Sequence, residues 1–179
     1  VAVIDSISTQ LRRLAFKMIH STMIILPAWR ETLEGMGMPV CLMPCDVPTW
    51  WNSSADMVEF ALEYHEPLNA MTQKRDLGLR SLELSDEEWR VLKELHAVLK
   101  ILKDTTMFFS HTSPNLATVI PAMDHIDKVF TTCSLDPTYS PPICEGLGMA
   151  KKTLNCYYSC TDDSHLYRIA MGKLLTRLI

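Results

Sequence analysis

The chain has 179 residues, 47% of them hydrophobic, which suits one globular domain, 1–179, with a packed core. Its formal charge of -4 and pI near 5.8 exclude a global electrostatic case for nucleic acid, so any polyanion contact must be local. No run of eighteen or more apolar residues occurs, and Met23 to Pro27 is far too short to span a bilayer, so no membrane partner is expected.

Near the start, acidic Asp5 precedes Arg12, Arg13 and Lys17, unlike a basic leader followed by an apolar run, and an intracellular protein is the expectation. Leu11, Leu14, Ala15, Met18 and Ile19 recur at three and four, the stripe of an amphipathic helix that should end near Pro27. A second helix is expected from Ala28 to about Met36, closed by Gly35 and Gly37. Pro44 and Pro48 then forbid regular helix, and Val40 to Met43 suits one short strand.

From Ser53, the residues Met57, Val58, Phe60, Ala61, Tyr64 and Leu68 follow helical spacing, with Pro67 expected to kink or end the helix. Thr72 to Leu79 reads as a polar connector. Ser85 and Glu88 then form a capping box, with Leu84 and Trp89 at the two staple positions, so a helix should begin at Asp86. Trp89, Leu92, Leu95, Leu99 and Leu102 carry its apolar face towards Phe109.

Ser113 and Pro114 signal another start, and Leu116, Val119, Ile120, Met123, Ile126, Val129 and Phe130 form the next face, with a kink expected at Pro121. Thr131 to Pro142 reads as a loop because of Pro137, Pro141 and Pro142. Pro142 can open the helix of Leu147, Ala150, Leu154, Tyr157 and Tyr158, and Thr161 to Ser164 should cap a last short one. The architecture expected is mainly α, without repeats or a dividing linker, and cut short after Met171.

Few residues group into recognisable chemistry. Cys41 and Cys45, like Cys156 and Cys160, are separated by three intervening residues, with His165 five beyond Cys160. Tight zinc knuckles favour two intervening residues, so thiols without a metal are the better reading, and no cofactor is expected. All six cysteines are expected to be free in a chain of this length without an export signal. Asp124-His125-Ile126-Asp127 could imitate acid/base machinery, but its polar members suit a solvated helix face. Eleven methionines leave adaptable apolar surface for a protein partner.

Trp50 and Trp51 are the one cluster of large side chains that helical periodicity does not explain. Two readings stay open: one indole capping a core while the other shields a helix start, or a stacking platform for an unpaired base. A base stacked on an aromatic ring contributes about 1 to 3 kcal/mol.

Asp46-Val47-Pro48-Thr49-Trp50-Trp51-Asn52-Ser53, followed by Asp56-Met57, resembles the Thr-Arg-Trp-Asn-Ser signature of hAT-superfamily transposases of the BED-zinc-finger, ricesleeper-like kind. Leu84 to Leu99, Thr105 to Ser110, Pro114 to Asp127 and Lys151 to Tyr158 are similar to the helical segments that follow in those proteins, so that about 11–171 is covered. The resemblance implies a nuclear protein and the helical insertion region of an RNase-H-like enzyme. The enzyme's three metal-binding acids lie outside that region, and none can be assigned here, so the chain is not expected to be an active enzyme. It further implies DNA contact through Trp51, with Thr49 and Asn52 nearby, and the missing catalytic core as a protein partner. Trp50 departs from the pattern, standing where the family carries arginine, which removes a phosphate or carboxylate partner that indole cannot replace.

Overall fold

The computed structural model describes residues 2–46, 51–111 and 116–166, with the side chains of Trp51, His111, Leu116, Ala117 and Asp162 outside that description. The described residues form seven α-helices and no strand, a mainly α fold. They gather into two compact units, Ala2–Ala97 and a second beginning at Val98.

In the first unit, α1 (Ala2–His20) buries Ile7, Leu11, Leu14, Ala15 and Met18, the stripe its spacing predicts. It stops at His20 rather than near Pro27. Ser21 starts the next helix instead: its hydroxyl accepts from the Ile25 N–H at 3.3 Å and its carbonyl from the Leu26 N–H at 3.0 Å. Pro27 thereby falls third in α2 (Ile25–Gly35), in the first turn, where a missing N–H costs nothing. At the far end the Gly37 N–H bonds to the Glu34 carbonyl and the Met38 N–H to the Leu33 carbonyl, 3.1 and 2.9 Å. This is the Schellman pattern, and it needs the left-handed φ of +66° that Gly37 supplies.

Residues 38–46 cross the unit without regular structure, so the short strand expected at Val40–Met43 does not form. The side chains there alternate as in a strand, with Met43 buried and Val40 and Leu42 exposed. No second strand among the described residues pairs with the segment; the Trp29 indole N–H holds it instead, donating to the Cys41 carbonyl at 2.8 Å.

Helix α3 (Trp51–Glu63) and helix α4 (His65–Gln73) meet at Tyr64, three residues before Pro67, which is third in its helix as Pro27 is. The break therefore precedes the proline expected to cause it. Ala55, Met57, Val58, Phe60, Ala61, Tyr64, Leu68 and Met71 are buried, with Trp29 fully enclosed among them and its ring centroid 6.4 Å from Phe60 and 6.1 Å from Tyr64. Two short 3-10 turns follow, Arg75–Leu77 and Arg80–Leu82, the second burying Leu82; Leu79, at the end of the Thr72–Leu79 stretch expected to be a polar connector, is buried just before it.

Helix α5 (Asp86–His111) begins where the capping box places it. The Glu88 carboxylate accepts from the Ser85 N–H at 2.8 Å, the Ser85 hydroxyl accepts from the Glu88 N–H at 3.3 Å, and the stapling Leu84 and Trp89 are both buried.

In the second unit, α6 (Leu116–Leu135) packs on α7 (Pro141–Asp162). Helix α6 runs through Pro121 and continues to Leu135, into residues expected to be loop. There the Thr131 and Thr132 hydroxyls donate to the carbonyls of Asp127 and Lys128, four residues back, and lie along the helix rather than ending it. Ser140 and Pro141 open α7, one residue earlier than expected. No described helix is long and apolar enough to cross a membrane.

Candidate functional site

Thr49 and Trp50 lie outside the described residues, as does the Trp51 side chain; Trp51 is the first residue of α3. The Asp46 side chain is only 1% exposed, and its Oδ1 accepts hydrogen bonds from the Ser53 hydroxyl at 2.9 Å and the Ser54 hydroxyl at 2.7 Å. Its Oδ2 accepts from Nε of Arg12, which reaches across from α1. Asp46, four residues before Trp50, is thus fastened both to the first turn of α3 and to α1.

Burial by itself raises the Asp46 pKa, but the hydrogen bonds from Ser54, Ser53 and Arg12, with the guanidinium charge, outweigh it and hold the carboxyl below its ordinary 3.8. Asp46 is therefore ionised at neutral pH and structural in role. Asn52 stands next to this cluster, partly buried, with its Oδ1 enclosed and without a hydrogen-bond partner among the described residues.

Within the same unit, Trp29 and Tyr64 close on residues 38–46. The Tyr64 hydroxyl pairs with Cys41; this bond, with burial and the nearby Glu63 charge, pushes the phenol up to about 12. His65, Asn69 and Trp89 form a second, part-buried network: the Trp89 indole N–H donates to Asn69 Oδ1 at 3.1 Å, and Asn69 Nδ2 lies 3.0 Å from His65 Nε2. Both networks satisfy buried polar atoms around aromatic rings and hold the helices in register.

The second unit carries its own polar seam. The Tyr158 hydroxyl of α7 donates to Asp124 Oδ1 at 2.5 Å, while Lys151 Nζ pairs with Asp127 at 3.4 Å and donates to Thr131. Burial, then the Asp124 hydrogen bond and the Asp124 and Asp127 charges, push the Tyr158 phenol well above its ordinary 10.0. Asp124 and Asp127 thus join α6 to α7, although on sequence they read as a solvated face. The missed signal was available in outline: Lys151 and Tyr158 lie seven apart, two turns along one side of α7.

A cleft of about 470 Å³ opens between the C-terminal half of α5 and α6, lined by Ile101, Asp104, Thr105, Phe108, Pro121 and His125 among others. All six cysteines are free; Cys45, Cys156 and Cys160 are exposed. Among the described residues no three His, Cys, Asp or Glu side chains converge as a metal site, and His165 lies beyond the end of α7 that carries Cys156 and Cys160.

No family model, curated protein or solved structure matches the chain. Its function is therefore argued from the residues and their geometry.

Proposed function

We propose that this chain is a catalytically inactive helical module of the hAT-transposase kind that retains weak binding to DNA ends through Trp51, with Thr49 and Asn52 around it. The observation that carries the reading is the position of Trp51 and Asn52 in the first turn of α3. There the positive end of the helix dipole favours a phosphate, and an adjacent indole can stack on an unpaired base. Arg12 neutralises Asp46 at the same place, so the buried carboxylate does not oppose an approaching phosphate. The ordered run of segments resembling the transposase insertion region gives the reading its family.

A second reading, a helical protein-interaction module without DNA binding, is favoured by a different observation. Met107, Phe108, Leu135, Met149 and Tyr157 expose large apolar side chains in the second unit. The natural partner on that reading is a transposase catalytic core.

A band-shift experiment at low salt with a hairpin or flapped DNA end separates the two. Binding by the wild type that Trp51→Ala weakens about tenfold, within the contribution of one base stack, supports the DNA reading. Absence of any shift at low salt, where phosphate contacts are strongest, overturns it and leaves the protein-partner reading.

A further inference from the structure

Helix α7 has two unlike faces. Ile143, Leu147 and Thr161 are buried on the side where Tyr158 and Lys151 bond to α6. The opposite side carries Met149, Thr153, Cys156, Tyr157 and Cys160, all exposed. Cys156 and Cys160 are one turn apart on that outer side of an unbroken helix, and both are free thiols.

One turn of α-helix sets the β-carbons of residues i and i+4 about 5–6 Å apart. A disulfide needs them at about 3.5–4.5 Å, so the helix holds the two sulfurs apart as separate thiols. The same separation suits one metal ion between them. With metal–sulfur bonds of about 2.3 Å, the sulfurs of a linear two-coordinate complex lie about 4.6 Å apart. Ions content with two thiolates are the soft monovalent ones, Cu(I) foremost, whereas a structural zinc site needs four protein ligands and no third or fourth converges here among the described residues.

We propose that Cys156 and Cys160 form a two-thiolate binding site for a soft monovalent metal ion of the Cu(I) class on the outer face of α7. Each thiol loses its proton as its sulfur binds, so one Cu(I) releases two protons and leaves a complex of charge -1, with no change of oxidation state. Lys152, one turn before Cys156, and Asp163, three residues after Cys160, bring opposite charges to the two ends of the site, so selection rests on the sulfurs.

The test is titration of the reduced full chain with Cu(I) against a chromophoric Cu(I) chelator, with helicity checked by circular dichroism. One Cu(I) per chain is expected to be held by the wild type and by the control Cys41→Ser/Cys45→Ser. Cys156→Ser and Cys160→Ser should each weaken that binding about tenfold or more, because each removes a ligand held at high effective concentration beside the other. The double change Asn155→Cys with Cys156→Asn keeps both thiols but sets them five residues and about 140° apart, and should bind as poorly as the single variants. Excess Zn(II) should not displace the Cu(I). Undiminished binding in Cys156→Ser or Cys160→Ser, or in the shifted pair, overturns the site, and so does displacement by zinc.

Discussion

The two units of this chain bury their side chains very differently. In Ala2–Ala97, helices α1 to α4 surround a continuous apolar interior in which Trp29, Leu33, Met57, Ala61, Leu79 and Leu92 are essentially inaccessible. From Val98 onwards the buried apolar side chains among the described residues are Val98, Phe130, Ile143 and Leu147, and the junction of α6 with α7 also carries Tyr158–Asp124 and Lys151–Asp127. Apolar burial scales with the area withdrawn from water, whereas a half-exposed hydrogen bond or ion pair contributes little after its competition with water. The contrast teaches where stability resides: the first unit rests on a large enclosed interior, the second on a few buried apolar side chains with a weak polar seam beside them.

The largest effect should come from the interior. Trp29→Ala removes a fully enclosed indole, its bond to the Cys41 carbonyl and its contacts with Phe60 and Tyr64. A loss of about 3–5 kcal/mol is expected in urea denaturation followed by far-ultraviolet circular dichroism. Phe130→Ala, at the most enclosed aromatic of the second unit, should cost clearly less; equal losses would break the comparison.

Asp46→Asn should rank next, at about 1–3 kcal/mol, since it weakens the acceptor of two enclosed hydroxyl bonds. The Arg12 side chain is half exposed, so its ion pair contributes the smaller share. The folded-state pKa of Asp46 lies below its ordinary value, so its contribution is fully present above about pH 4 and is lost as the pH falls through the folded-state pKa. Stability measured from pH 7 down to pH 2 should fall less steeply in Asp46→Asn than in the wild type; parallel curves would remove Asp46 from the structural account.

The smallest effect is expected at the seam. Tyr158→Phe deletes one hydrogen bond to an exposed carboxylate and should cost about 0.5–1.5 kcal/mol. The phenol's folded-state pKa is raised, so its contribution is present below pH 10 and lost as the pH rises through the folded-state value; the variant should lack that alkaline loss. A cost as large as that of Trp29→Ala would show the seam, rather than burial, to be the main support of the second unit.

Much of the helical layout was legible beforehand, for local reasons. The capping box at Ser85 and Glu88 marks the start of α5 because both partners lie within four residues, and the stripe of α1 follows from a period of 3.6. The prolines mark the breaks, but not their exact places. The first helix was expected to end near Pro27 and the next to kink or end at Pro67; each break comes before its proline, which sits in the first turn of the following helix, since a proline forbids helix before it more than after it. Thr131 and Thr132 read as loop residues because hydroxyls compete for backbone groups, but in α6 they bond back to the helix they were expected to end.

At the tryptophan stretch, the sequence by itself determined that a helix follows Pro48, because proline and helical periodicity are local properties. Only the tertiary structure decided that Asp46 belongs to the fold rather than to any chemistry. Its partner Arg12 is 34 positions away on another helix, and no local pattern encodes such a pairing. The same holds for Cys156 and Cys160: their spacing is written in the sequence, but packing of the opposite face of α7 on α6 is what leaves both thiols facing outwards.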